Sequence, residues 1–411
     1  MRKALPATAL CLAAITLPAV PAQAETTLPA VPAQAETALP AAAAQAGTTL
    51  PAMAAQAGTA RAARADAQTL TLPAPTGPYP VGTVSLHLVD RSRPDPWVDG
   101  RPYRELMVSL WYPAKKARGR LAPHMSPGAA ADFGKTLAPA MFGTEPGAVD
   151  WAATRTHARQ DAPMRGNPPV VVFSPGLSAP RSVGTVLVED LASRGYLVVT
   201  VDHTYEAAQV EFPGGRVERT RLAEPTPEDL AKAVKVRVAD TRFVLDQLAR
   251  RGTDLSRVGM FGHSMGGSAA AEVVHDDRRV DAGLNLDGGH RGPVAGTGVA
   301  KPFAQVANET HTRAGDPSWK SFWERSTGWK RELRFTGSQH YSFSDAQTLG
   351  PQIDGIPEQR LRALVGAIDP AESIAAQRAY VAAFFDRWLK GRPTTLFDRP
   401  SSRHPAVKII P

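Results

Sequence analysis

Apolar and polar residues alternate over Val81 to Val89 and Leu106 to Tyr112, a period of two that predicts antiparallel strands at the start of a sheet. Unbroken apolar runs follow at Val170 to Phe173 (VVVF) and Tyr196 to Val201 (YLVVTV), which predict strands covered on both faces. Between them Pro180 to Arg194 reads as a helix, and a long helical pattern from Pro227 to Arg251 precedes the short apolar run Val258 to Phe261. A small-residue helix comes next, then strands at Ala282 to Leu286, Pro302 to Val306 and near Leu333 to Phe335, and a closing helix at Ala371 to Leu389. Such alternation predicts an α/β fold built on a mostly parallel central sheet with helices on both faces.

This pattern begins only near residue 68 of the 411. Arg2 and Lys3 precede an apolar stretch from Ala4 to Val20 and a small-residue site at Ala22-Gln23-Ala24, the layout of a cleaved secretory signal. An eleven-residue unit then repeats, TLPAVPAQAET at Thr16 to Thr26 and again at Thr27 to Thr37, with two looser copies ending at Thr59. Each copy carries its own A-Q-A, so cleavage after Ala24, Ala35, Ala46 or Ala57 fits the pattern, with Ala24 placed first. The Ala/Pro/Gln/Thr composition offers too little bulky apolar surface to offset the entropy of ordering. The expected organisation is a signal over 1–24, a disordered linker over 25–67, one folded domain over 68–395 and a tail over 396–411.

Composition narrows the picture further. The single cysteine, Cys11, lies in the signal, so the exported chain is expected to tolerate an oxidising compartment without relying on a disulfide. Loss of Arg2 and Lys3 takes the formal charge from +8 to +6, and the charges are interspersed, which argues against a nucleic-acid site and leaves only a mild attraction to anionic surfaces. Scattered histidines, with no H-E-x-x-H and no phosphate-cradling glycine loop, imply no metal and no cofactor.

The chemistry concentrates in RVGMFGHSMGGSAAA, Arg257 to Ala271. Gly262-His263-Ser264-Met265-Gly266 fits G-x-S-x-G between a strand and a helix, a sharp turn that presents the serine as a nucleophile. A hydroxyl needs a base, and the base needs an orienting acid. Asp287 stands at the end of the strand Ala282 to Leu286, flanked by Gly288 and Gly289, and His340 follows the last short strand in FTGSQHYSF. The order serine, acid, histidine suits this architecture. Rivals for the acid are Glu309 and Asp316, and His290, His311 and His404 are rivals for the base; Asp316 also reads as the N-cap of a helix begun by Pro317. The oxyanion of an acyl intermediate is expected on the backbone N–H groups of Met265 and of Leu177, the latter in the loop Ser174 to Ser178.

Three further features call for structural explanation. Asp202-His203 ends a strand but precedes the serine, which assigns it to turn chemistry. Trp319, Phe322 and Trp323 recur at helical spacing and read as core or as a cap lining an acyl pocket. The Pro/Gly/Ala-rich stretch 114–167 is too long for an ordinary loop and reads as a lid insertion or a disordered segment.

VVVFSPGLSAPRS, LASRGYLVVTVDHTYEA, GHSMGG, LDGG and GSQHYSFSD together resemble the secreted α/β-hydrolases of the platelet-activating-factor acetylhydrolase type, over roughly residues 80 to 390. The resemblance implies the α/β-hydrolase fold, Asp287 as the acid and Leu177 with Met265 as oxyanion donors. One motif departs: Ser174-Pro175-Gly176 stands where that family commonly has S-H-G, and S-P-G resembles secreted polyester hydrolases. The expected protein is a secreted serine esterase acting on a small-molecule or lipid ester, short-acyl or phospholipid acetyl esters first, in transient contact with lipid surfaces. Longer-chain lipids or polyesters are the alternative substrates, and an exported binding module without turnover is the alternative class.

Overall fold

The computed structural model describes residues 67–222 and 225–411. The expected signal, its cleavage sites and the repeats lie outside the described residues. The strands, in chain order, are β1 Val81–Asp90, β2 Arg104–Pro113, β3 Leu121–Pro123, β4 Arg155–Gln160, β5 Val170–Ser174, β6 Leu197–Asp202, β7 Gln209–Glu211, β8 Val217–Arg219, β9 Val258–His263, β10 Val280–Leu286, β11 Phe303–Ala307, β12 Lys330–Phe335 and β13 Val407–Ile410. The helices are α1 Pro127–Lys135, α2 Leu137–Phe142, α3 Thr185–Ser193, α4 Pro227–Arg250, α5 Met265–Asp276, α6 Val294–Thr297, α7 Pro317–Arg325, α8 Ala346–Leu349, α9 Glu358–Val365 and α10 Pro370–Lys390.

Eleven strands form one sheet in the order β13-β12-β11-β10-β9-β5-β6-β2-β1-β4-β3, while β7 and β8 make a separate hairpin. Neighbours from β12 through β6 run parallel, and the β1–β2 hairpin joins β6 antiparallel. Every residue of β5, β6 and β9 is buried, as the unbroken apolar runs require for strands with helices on both sides. On one face α3 and α10 contribute Leu187, Leu191, Tyr380 and Phe385 to the core; on the other α4 and α5 contribute Val244, Leu248, Ala270 and Val274. The small residues of α5 let it lie close to the sheet.

Helix ends follow local chemistry. Thr226 caps α4 in a reciprocal capping box with Asp229, with Pro227 behind it, and Asp369 caps α10. Sheet order places β5 between β6 and β9, so the chain turns to opposite sides of β5, and the crevice at the carboxyl ends of β5 and β9 is where such sheets bind ligands.

Two regions differ from a simple reading of composition. The stretch 114–167 carries β3, α1, α2 and β4, and packs Met125, Phe133, Leu137, Phe142 and Trp151 against Val186, Leu349 and Ile374 in a core of its own. Its bulky apolar residues are few but converge from α1, α2 and the loops that flank them. Residues 396–411 do not hang free: Phe397 is fully buried and β13 extends the sheet antiparallel to β12. No described helix is long and apolar enough to cross a membrane.

Candidate active site

Ser264 occupies the turn between β9 and α5 at φ 54° and ψ −123°, a left-handed conformation that costs a non-glycine residue about 1–3 kcal/mol. The turn is held because its neighbours are committed: the Ser264 N–H donates to the Leu286 carbonyl at 2.8 Å, and the Ser264 carbonyl accepts from Gly267 N–H at 2.8 Å. A Cβ on Gly266 would fall on the Ser174 carbonyl, and one on Gly262 would fall on the Gly266 backbone. The sequence thus crowds glycines around Ser264 because three backbone segments meet there.

Asp287 also holds a left-handed conformation, φ 62°, directly after β10, and Gly288 beside it lies against the Ser264 carbonyl. Its carboxylate is buried and accepts four hydrogen bonds. Oδ1 takes the Asn308 N–H at 2.8 Å and His311 Nδ1 at 3.0 Å; Oδ2 takes Asn308 Nδ2 at 2.7 Å and His340 Nδ1 at 2.6 Å. Burial by itself would raise the pKa of Asp287, but the bonds from His311 and His340 outweigh it and hold the group well below the usual carboxylate range. With an ionised Asp287 on Nδ1, the proton of a neutral His340 sits on Nδ1 and leaves Nε2 as the basic nitrogen. The His340 carbonyl is fixed in turn by His263 Nε2 at 2.9 Å. Burial, then the neighbouring His340, keeps His263 neutral by pushing it down to about 3.

Ser264 and His340 both line a cavity of about 430 Å³. Gly176 and Leu177, in the loop after β5, line it as well. Met265 opens α5, so its N–H has no intrahelical acceptor and belongs to the positive end of that helix. The loop carrying Leu177 is gripped from behind by Arg237 of α4. This fully buried guanidinium donates to Ser174 Oγ at 3.0 Å, to the Gly176 carbonyl at 3.0 Å and to the Pro175 carbonyl, and pairs with Glu206. The Pro175 and Gly176 carbonyls are therefore turned away from the cavity and toward the cation.

Asp202 and His203 do more than shape a turn. Asp202 accepts the Arg181 N–H at 2.6 Å, and His203 bridges Ser174 Oγ at 3.2 Å and Asp240 Oδ2 at 2.9 Å. Asp240 in turn pairs with Arg104 at 3.0 Å and with Arg93. Ser174, His203 and Asp240 imitate a nucleophile, base and acid in order, yet none of them lines the cavity that Ser264 shares. Their place is behind the loop, as its support.

The rest of the cavity is mainly apolar, with Ser182, Ser344 and the bonded pair His124–Asp345 as polar lining. Met125, Phe133, Leu137, Phe142 and Trp151 of the 114–167 segment line it together with Tyr341 and Leu349. The helix α7 is absent from this wall. Trp319 and Phe322 are core residues, Trp319 donating its indole N–H to the Gly288 carbonyl at 2.6 Å, while Trp323 lies beneath Arg313 and Lys330. The aromatic stripe at 319–323 is therefore packing, and the expectation that it lines an acyl pocket is corrected: its buried face points at the loop carrying Asp287.

The remaining rivals also find places. Asp316 caps α7 by accepting from Ser318 N–H at 2.8 Å, Glu309 accepts the Gly337 N–H, and His290 is buried with its ring stacked on Phe322. His404 lies near the Tyr380 ring on the way to β13. Asn308 went unsuspected in sequence, although a side-chain amide at the carboxyl end of a parallel strand neighbouring β10 was a readable signal. Among the described residues no group of three or more His, Cys, Asp and Glu side chains is arranged to hold a metal ion.

Comparison with known proteins gives a consistent set. A sequence model described as platelet-activating factor acetylhydrolase, isoform II, matches residues 64–214. A probable 1-alkyl-2-acetylglycerophosphocholine esterase of Arthroderma benhamiae is 32% identical over 367 residues, covering 82% of this chain and 93% of its own. The platelet-activating factor acetylhydrolase of Cavia porcellus is 23% identical over 366 residues, 78% of each chain. Among solved structures, a ferulic acid esterase from Streptomyces cinnamoneus superimposes with a TM-score of 0.74 at 42% identity, covering 83% of this chain and 99% of that one.

Proposed function

Since this chain belongs to the platelet-activating factor acetylhydrolase family of α/β-hydrolases and is a carboxylic ester hydrolase, we propose that it works as a secreted serine esterase with Ser264 as nucleophile, His340 as base and Asp287 as the acid. The observation that carries this reading is the 2.6 Å bond from His340 to Asp287, with His340 and Ser264 on the wall of one cavity. His340 Nε2 takes the Ser264 proton as Oγ attacks the ester carbonyl, and Asp287 stabilises the imidazolium so formed. The oxyanion is received by the N–H groups of Met265 and Leu177, reinforced by the N-terminus of α5. His340 then protonates the leaving alcohol, and water, deprotonated by the same nitrogen, releases the acid from Ser264.

For the substrate we place first an ester of an aromatic acid of the ferulic type. An acetyl group fills little of a 430 Å³ cavity, whereas Phe133, Phe142, Trp151 and Tyr341 offer faces and edges to an aromatic acyl group. The ferulic acid esterase that is 42% identical supports the same choice. A 1-alkyl-2-acetyl phospholipid is the second reading, favoured by the relative at 32% identity, with the alkyl chain against the same apolar wall and the acetyl carbonyl at Ser264. Hydrolysis of a ferulate ester, an acetyl phospholipid and a series of p-nitrophenyl esters, by the wild type and Ser264→Ala side by side, tests both layers. Loss of roughly 10⁴-fold or more in Ser264→Ala is expected; equal rates in both proteins would remove the nucleophile assignment. A higher kcat/KM on the acetyl phospholipid would exchange the two substrates. Export is tested by N-terminal sequencing of the protein recovered from culture medium, with a new terminus expected after one of the four A-Q-A sites.

A further inference from the structure

Asp287 meets a second imidazole on the side away from His340. His311 Nδ1 stands 3.0 Å from Asp287 Oδ1 and its Nε2 2.9 Å from Asp316 Oδ2, so each ring nitrogen faces a carboxylate. Both contacts are hydrogen bonds only when both nitrogens carry protons, which makes the ring an imidazolium. Asp316 is anchored by its other oxygen at the N-terminus of α7, and the His311 ring lies 4.1 Å from the Trp319 ring, centroid to centroid. The row Asp316, His311, Asp287, His340 thus alternates carboxylate and imidazole from the base of α7 to the cavity.

We infer that His311 is a positioning residue of the esterase, a cation that holds the Asp287 carboxylate in the orientation His340 needs. This rests on the triad reading above. Asp287 has about four acceptor positions and all are filled, so the loss of one donor frees the carboxylate to rotate. The charge acts with it: as an imidazolium His311 donates to Asp287 and Asp316 at once, which ties the Asp287 carboxylate to the N-terminus of α7. The groups facing His311 are Asp287 after β10, Asp316 on α7, His340 across Asp287, the buried His290, and Glu332 of β12 with its partner Arg313. Burial opposes the charge on His311, but the bonds to Asp287 and Asp316 outweigh it and raise the group to about 9. His290, pushed down to about 3 by burial, adds no competing charge.

The test is the pH profile of kcat and kcat/KM for the wild type, His311→Asn, His311→Ala and Asp316→Asn, with Ser264→Ala as the blank. Asparagine keeps an N–H near the Nδ1 position but carries no charge. His311→Asn is expected to retain most of kcat at its optimum and to lose an alkaline inflection near 9 present in the wild type. His311→Ala loses the oriented bond too, and kcat falls roughly tenfold with KM unchanged. Asp316→Asn still caps α7 but removes one of the charges that raise His311, and moves the alkaline inflection to lower pH. If His311→Ala does not fold, the two asparagine variants decide. Wild-type profiles in His311→Asn and Asp316→Asn, with turnover still abolished in Ser264→Ala, would overturn the role of His311 alone; turnover surviving in Ser264→Ala would overturn the triad reading beneath it.

Discussion

Ser264 and Asp287 share a left-handed backbone, φ 54° and 62°, and each is pinned by the other's surroundings: Ser264 N–H bonds Leu286, and Gly288 packs on the Ser264 carbonyl. At this scale the glycines were legible, because G-x-S-x-G and D-G-G state where a side chain has no room. Gly266→Ala is therefore expected to yield little folded protein, or folded protein whose serine no longer reacts with an organophosphate, since its Cβ would meet the immovable Ser174 carbonyl; thermal melting and stoichiometric labelling check this. Asn308→Ala removes one of four donors to Asp287 and is expected to lower kcat roughly tenfold at unchanged KM, in steady-state kinetics. Neither Asn308 nor His311 was legible as a partner of Asp287. They meet it only because β11 lies beside β10, and adjacency in a parallel sheet is not written in local spacing.

The helix pair α1–α2 and the helix α7 invert what composition suggested. The 114–167 segment is poor in bulky residues, yet Phe133 meets Trp151 edge-to-face and Phe142 stacks on it, with centroids at 4.8 and 5.9 Å, and together they wall the cavity. The richer stripe on α7 turns into the core. Trp151→Ala is accordingly expected to raise KM for an aromatic ester while leaving a p-nitrophenyl acetate rate nearly unchanged, measured on the two substrates in parallel. Trp323→Ala is expected to leave acyl-length preference as it is, since Trp323 lies outside the cavity under Arg313 and Lys330. Periodicity locates α7 as an amphipathic helix, whereas 114–167 is read from composition alone, which does not foresee its helices. Periodicity carries no information about which surface each apolar face meets, because helix and core, or helix and ligand, demand the same residues.

Across the whole molecule, buried charge links the two halves of the sheet to the site. Arg104 of β2 pairs with Asp240 of α4, Asp240 with His203 after β6, and Arg237 of α4 with Glu206 and the loop after β5. Leaving any of these charges alone in the interior is costly, so Arg237→Met, which strands Glu206, is expected to lower stability by about 3–5 kcal/mol in urea unfolding. His311 adds a pH dependence of known sign. Its folded value near 9 lies above the ordinary 6.5, so its contribution is complete below 6.5 and is lost as pH rises through 9. The stability difference between the wild type and His311→Asn should shrink over that window, read from urea midpoints. Strand and helix order, the parallel sheet and Ser264 at its turn were determined by residues near one another in the chain, through periodicity and steric exclusion. Which carboxylate met which imidazole, which aromatic cluster faced the cavity, and why Arg237 grips the loop after β5 depended on segments brought together across the sheet. Those choices are set by three-dimensional packing and by the cost of leaving buried charges unpaired, neither of which acts over the short spans where a sequence pattern can be read.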